Sequence, residues 1–180
     1  MNGPMTPLQK IAMGLVIVAL DTLGGYDALP DFLGWALVLW GLATLPTPAR
    51  GTLQATAAVA GAVSLVLWFP QVHQPLRDAE VSLRWAASLP DLLFVLLLCR
   101  ALATRAREAD PTDRRFAARF GVLAWAAVVV AALPAIADAA GSDGLLVAAE
   151  VGFVVLWLWL VWNLFAAHGR EYARPPVTTR

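Results

Sequence analysis

Long apolar runs separated by short polar clusters dominate the chain. No charged residue occurs in 32–49, 51–76, 120–137 or 151–169. An uncharged and mainly apolar run of about 18 residues or more is long enough to cross the hydrocarbon core of a bilayer as a helix. The pattern therefore predicts an integral, polytopic membrane protein of the all-α class.

The spacing of these runs predicts six transmembrane helices in a single membrane domain over 1–180. Several of them are short, because about 20 residues normally span a bilayer, and local thinning or flanking residues would have to compensate. Residues 170–180 are expected to form a disordered cytoplasmic tail. The helices are predicted at about 8–26, 31–46, 53–70, 86–104, 117–138 and 145–167, which gives three helical hairpins at about 8–46, 53–104 and 117–167.

Basic residues fall mostly on one side of this predicted bundle. Loops alternate between the two sides of the membrane. One face therefore receives 11 of the 13 basic residues, including the arginine cluster within 100–119, together with four acidic residues. The other face receives Arg77, Arg84 and nine acidic residues. Since positively charged loops stay in the cytoplasm, both termini are predicted to be cytoplasmic, with three hairpin tips outside.

One segment of the chain occurs twice. LPDFLGWALVLWGLAT at 29–44 and LPDLLFVLLLCRALAT at 89–104 are identical at eight of 16 positions without a gap. A fainter third copy aligns Glu150 with Asp31. These matches predict parallel repeats of about 60 residues, one per hairpin, since every copy starts on the same side. Chance similarity between leucine-rich helices is the alternative.

Two interpretations of the acids at the head of these repeats remain open. A proline is accepted in the first helical turn, and a carboxylate there opposes the positive end of the helix dipole. Asp31 and Asp91 can therefore be simple helix starters, and Ser88 to Asp91 also fits a capping box, with a helix break at Ser88. If Asp31, Asp91 and Glu150 converge instead, they form an acidic ring near the outer mouth that attracts cations.

The first predicted hairpin tip holds three carboxylates around a Gly-Gly break. One of them, Asp21, follows ten uncharged residues, and a carboxylate at such a depth favours a partner or a bound cation. Arg84, seven residues before Asp91, is a candidate partner for an acid. A solvated tip, in which the acids contact only water, is the alternative. The candidate polar or ion site comprises Asp21, Asp27, Asp31, Asp91, Glu150 and Arg84.

Small and aromatic residues in the apolar runs are assigned to packing. Gly34 and Gly41 lie seven apart on one face of the second predicted helix, and small residues at this spacing allow helices to approach closely. The eight tryptophans are expected to pack or to contact lipid, with Trp85 in an outer belt and Trp162 in an inner one.

Residues 20–35, LDTLGGYDALPDFLGW, resemble a stretch of small uncharacterised bacterial multi-pass membrane proteins. Those proteins carry a similar Asp…Gly-x-x-Asp-x-Leu-Pro-Asp-Phe-x-Gly segment. The resemblance implies a location in the bacterial cytoplasmic (inner) membrane and carries no activity with it. The abundance of alanine, valine and arginine, with Lys10 as the only lysine, suggests a high-GC genome.

Motifs of known enzymes and cofactor sites are missing from the sequence. It contains no nucleophile elbow, His-Glu-x-x-His motif, phosphate loop or dinucleotide fingerprint, so an enzyme is not favoured, although scattered acids leave an intramembrane hydrolase open. His73 and His168 offer no ligand pair, and Cys99 is the only cysteine, so neither a metal site nor a cofactor is expected. The formal net charge of zero gives no reason to expect nucleic-acid binding.

Two classes of function remain from the sequence. The first is a small transporter or channel-like protein whose outward-facing carboxylates serve cations. The second is a non-transporting membrane module that packs with a membrane partner or with itself as a homo-oligomer. Transport predicts acids in the interior of the bundle, whereas the module allows all of them at solvated tips. The lipid bilayer is the surroundings in both.

Overall fold

The structure, a computed structural model, describes residues 5–24, 31–69, 81–109 and 111–173. In these residues the chain is all-α, as predicted, with six α-helices, one short 3-10 helix and no strand. The helices are α1 (Pro7–Gly24), α2 (Asp31–Thr44), α3 (Arg50–Leu67), α4 (Val81–Glu108), α5 (Arg114–Ala140) and α6 (Asp143–Ala167), and the 3-10 helix is Glu171–Ala173.

Four helices, α3 to α6, are long and apolar enough to cross a membrane. The apolar parts of the other two, Pro7–Ala19 and Asp31–Thr44, are shorter. The outward faces carry large apolar side chains, among which Trp125 is 72% and Trp162 is 70% exposed. Apolar surface of this extent is unfavourable in water and favourable against hydrocarbon, so it indicates a membrane protein.

Local sequence sets the ends of the first helices. At the start of α1, Gln9 Oε1 accepts a hydrogen bond from the Thr6 amide at 2.9 Å, and Thr6 Oγ1 accepts one from the Gln9 amide at 3.3 Å. This reciprocal capping box satisfies two amides, and Pro7 at the first helical position has no amide proton to satisfy. After α2, the Arg50 guanidinium donates two hydrogen bonds to the Leu45 carbonyl, at 3.2 and 3.0 Å.

The six helices form a closed ring. Each helix packs against its neighbours in the sequence, and α6 also packs against α1, so the first and last helices meet. The contact between α1 and α2 is the tightest at the backbone: a Cβ added to Gly34 would lie 2.6 Å from the Gly14 carbonyl oxygen, and one added to Gly41 would lie 2.8 Å from the Pro7 carbonyl oxygen. The prediction that Gly34 and Gly41 allow close approach of helices is confirmed.

The predicted break at Ser88 and its capping box are wrong. α4 is one helix from Val81 to Glu108, with Pro90 in its interior. Ser88 Oγ donates a hydrogen bond of 2.8 Å to the Trp85 carbonyl inside the helix and so does not act as a cap. The helix before Pro90 is held by α5, because Trp85 Nε1 donates a hydrogen bond of 2.8 Å to the Ala131 carbonyl. This contact with α5 holds the helical turns that precede the proline.

Candidate functional site

Asp31 and Asp91, the acids at the head of the first two predicted repeats, line the same small cavity. Both side chains are partly buried. The cavity has a volume of about 60 Å³ and lies between α1, α2, α4 and α6. We refer to it as the pair cavity. The rest of its lining comes from Val18 and Ala19 of α1 and from Phe153, Val154, Trp157 and Leu158 of α6.

Different helix starts bring the two carboxylates to the same level. α2 begins at Asp31, whereas α4 begins at Val81 and reaches Asp91 ten residues later. At 1.5 Å per residue, the start of α2 is therefore recessed by about 15 Å relative to the start of α4. The pair cavity consequently lies below the end of the bundle at which α4 begins, rather than at a solvated tip.

The two aspartates differ in what they can do for their own helices. Asp31 lies in the first turn of α2, where a negative charge opposes the positive end of the helix dipole. Asp91 lies well inside α4, where the backbone amides are already bonded within the helix. A favourable interaction with the N-terminus of its own helix therefore accounts for Asp31 but not for Asp91.

Aromatic rings fill the centre of the bundle about one helical turn beyond the two carboxylates. The rings of Trp35 from α2 and Phe94 from α4 are 5.1 Å apart at 85°, and both side chains are at most 1% exposed. Trp157 of α6 lies 6.5 Å from Trp35 at 80°. Its Nε1 donates a buried hydrogen bond of 2.8 Å to the Leu15 carbonyl of α1. This aromatic cluster closes the bundle on the side of the pair cavity away from the start of α4.

Glu150, which the sequence alignment placed opposite Asp31 in a predicted third repeat, lies in a neighbouring cavity. Its side chain is exposed, and it lines a space of about 460 Å³ between α4, α5 and α6 together with Trp85 and Ser88. We refer to this space as the Glu150 cavity. Phe153 and Val154 line both cavities and form the wall between them. Two of the three acids that were predicted to converge thus share a cavity, and the third lies on the far side of that wall.

The other candidate residues lie outside the described part of the structure, wholly or in their side chains. Asp21 and Arg84 belong to α1 and α4, but their side chains are not among those described, and Asp27 is outside the described residues. Within the described ranges, no group of three or more His, Cys, Asp or Glu residues could hold a metal ion, and Cys99 is buried. Asp31 and Asp91 are the described candidates that share a cavity.

A larger apolar groove lies between α3, α4 and α5. It has a volume of about 770 Å³ and no charged residue in its lining. Leu93 of α4 is 48% exposed and Val59 of α3 is 54% exposed at this groove. The groove has the character of a packing or lipid-facing surface, and it contributes no acid or base.

A separate polar cluster anchors the residues that follow α6. Asp113 caps α5, because its Oδ1 accepts a hydrogen bond of 3.2 Å from the Phe116 amide. Its Oδ2 lies 3.3 Å from Arg170 Nε, and the Arg170 guanidinium lies 5.2 Å from the Phe116 ring centre. Tyr172, only 9% exposed, lies beside this ion pair. Asp113 therefore caps α5 and also holds the 3-10 helix that follows α6.

We expect the Tyr172 phenol to lose its proton at a higher pH than an ordinary tyrosine. Burial, followed by the nearby Asp113 carboxylate, raises the pKa of its phenol from 10.0 to about 12. Because the pKa is higher in the folded state, the neutral phenol stabilises the fold fully below pH 10.0, and this contribution is lost as the pH rises through about 12. A spectrophotometric phenolate titration should show a component at high pH. This component should be absent from Tyr172→Phe and present in Tyr26→Phe. A wild type with only an ordinary component would contradict this assignment.

Comparisons with known proteins returned no relative. No protein-family model, no curated protein and no solved structure matches the chain. The chemistry of the site is therefore the basis on which a function is assigned.

Proposed function

We propose that the protein is a small cation transporter or channel-like protein of a bacterial cytoplasmic membrane, with Asp31 and Asp91 as its binding site. In this proposal all six helices span the membrane as three hairpins, both termini are cytoplasmic, and the pair cavity faces outside. The observation that supports it most is the position of Asp91. This acid lies inside an apolar helix, does not start that helix, and shares a small cavity with a second carboxylate.

Electrostatics favours a cation in the pair cavity. Removing a charged group from water costs several kcal/mol, and two neighbouring carboxylates also repel each other. No ion pair involves Asp91 among the described residues. A proton or a metal cation between the two carboxylates offsets both costs, which is why acids within membrane proteins mark cation and proton sites.

The repeated sequence agrees with this role. Asp31 and Asp91 occupy corresponding positions of segments 29–44 and 89–104. In many transporters the binding site lies where internal repeats meet, so that each repeat contributes part of it. A pair of corresponding acids at such a junction is the simplest site of this kind.

The aromatic cluster of Trp35, Phe94 and Trp157 determines the side from which a cation reaches the site. Because these rings fill the bundle centre beyond the pair cavity, a cation reaches the carboxylates from the side on which α4 begins. Passage to the opposite side requires the rings to separate. The protein therefore binds from the acidic side, and transport includes a conformational step.

Flux through liposomes that hold the purified protein tests the proposal. We expect proton or alkali-cation flux in the wild type, flux at the level of empty liposomes in Asp31→Asn/Asp91→Asn, and unchanged flux in Asp138→Asn, which alters an exposed acid near the end of α5. Circular dichroism of each variant establishes that the helices are retained. Wild-type flux that persists in the double variant would show that the pair is not the site.

A non-transporting membrane module is the second candidate. The apolar groove between α3 and α5 favours it, since an exposed groove of about 770 Å³ can accept a helix of a partner or of a second copy. A wild type without flux for any of the cations, together with a stable dimer or complex in detergent, would replace the transport proposal with this one.

A further inference from the structure

The Glu150 cavity and the pair cavity are adjacent and differ in size. The Glu150 cavity, about 460 Å³, contains an exposed acid from near the start of α6 and is also lined by Trp85 from the first turns of α4. It thus lies at the end of the bundle where α4 and α6 begin. The pair cavity, about 60 Å³, lies deeper and has room for only a few water molecules.

One aromatic side chain is part of the wall between them. Phe153 lines both cavities, and among the described residues its neighbour Val154 is the only other one that does so. The Phe153 ring is stacked on Trp157, with ring centres 5.5 Å apart at 25°. Trp157 is in turn fixed by the hydrogen bond from its Nε1 to the Leu15 carbonyl. The wall is therefore supported by a ring that is itself held in place by α1.

From this arrangement we propose that the Glu150 cavity is the access route to the pair cavity, and that Phe153 determines what passes between them. The inference rests on the proposed function and specifies its substrate class. Protons and small inorganic monovalent cations pass the ring and fit beside the carboxylates. Organic cations enter the Glu150 cavity but are excluded from the pair cavity by Phe153.

Thiol accessibility tests this route without measuring transport. Cys99 is the only cysteine and is buried, so Cys99→Ala provides a background without thiols. Leu146→Cys places a thiol in the Glu150 cavity, and Val18→Cys places one in the pair cavity. Two reagents serve as probes: the silver ion, which is a small monovalent cation, and a methanethiosulfonate that carries a bulky trimethylammonium group.

We expect Leu146→Cys to react with both reagents and Val18→Cys to react with silver alone. Adding Phe153→Ala should raise the reaction rate of Val18→Cys with the bulky reagent about tenfold or more, because removing the ring opens the wall. Phe165→Ala, which removes an exposed ring elsewhere on α6, should leave that rate unchanged. Phe153→Leu is a milder variant for which an intermediate rate is expected, and it replaces the alanine variant if that one does not fold.

The possible results separate the two proposals. Equal reaction of Val18→Cys with both reagents before the ring is removed, or no change after its removal, would overturn the role of Phe153. Labelling of Val18→Cys after denaturation establishes that its thiol is intact. The expected labelling pattern in a protein without cation flux would support the access route and contradict transport alone.

Discussion

Gly34→Ala is expected to destabilise the protein by about 3 kcal/mol, near the upper end of what overpacking usually costs. The new Cβ would lie 2.6 Å from the Gly14 carbonyl oxygen and 2.8 Å from Val18 Cγ2. A backbone oxygen cannot rotate away as the end of a side chain can, so α1 and α2 must move apart. The thermal midpoint in detergent, followed by circular dichroism, measures the effect.

Two other glycines provide matched controls. Gly51→Ala adds a methyl group with no atom within 4 Å, in the first turn of α3, and should leave the midpoint unchanged or slightly raised because alanine favours helix. Gly61→Ala would meet Trp35 Cβ at 2.9 Å and should be intermediate. Equal midpoints for Gly34→Ala and Gly51→Ala would contradict the close approach of α1 and α2.

The same substitution should also impair the candidate site. Asp31 begins α2, and Val18 of the pair cavity contacts the space beside Gly34. If α1 and α2 separate, Asp31 moves relative to Asp91, which is carried by α4. A variant that remains folded is therefore expected to bind cations more weakly. The contact between α1 and α2 would then set the distance between the two carboxylates.

Local patterns in the sequence were enough to predict most of the helices. The apolar runs place five of the six helices to within a few residues, because a helix of this kind is defined by its own composition. The glycines at 34 and 41 were assigned to helix contact for the same local reason. Asp113 caps α5, a role that an aspartate directly before a helix commonly has.

The start of α4 could not be predicted from local chemistry. Pro90 and Ser88 together have the signature of a helix start, whereas the helix begins at Val81, and Trp85 near its start is held by the Ala131 carbonyl of α5. That contact joins residues 46 positions apart. It also decides whether Asp91 is a helix starter or an interior acid, so the functional interpretation depended on a tertiary interaction.

The sequence also could not show which residues lie beside each acid. In helices that are apolar on every side, hydrophobic periodicity does not indicate which face points inward. Trp35 and Trp157 therefore gave no sign that they meet at the bundle centre, although Trp35 lies one turn from Asp31. The repeat alignment suggested that three acids converge, whereas Glu150 is separated from the other two by Phe153.

Asp31→Asn and Asp91→Asn are expected to change stability in opposite directions while both abolish cation binding. Asp91→Asn removes a partly buried charge that does nothing for its own helix, so the protein should become more stable at mildly alkaline pH, by about 2 kcal/mol. Asp31→Asn removes the favourable interaction of a carboxylate with the N-terminus of α2 and should cost about 0.5 kcal/mol. In the proposed site, Asp91 would therefore lower the stability of the fold while it binds the cation.

Thermal midpoints with and without added cation measure both effects in one experiment. A cation that binds the folded state raises the wild-type midpoint as its concentration increases, and this rise should vanish in either variant. Asp138→Asn changes an exposed acid near the end of α5 and should keep the wild-type response. If Asp91→Asn is the less stable of the two pair variants, or still responds to the cation, then Asp91 is a structural residue and the cation site lies elsewhere. The opposite signs matter because a carboxylate that stabilises its own helix costs stability when it is removed, whereas a partly buried carboxylate inside a helix adds stability when it is removed.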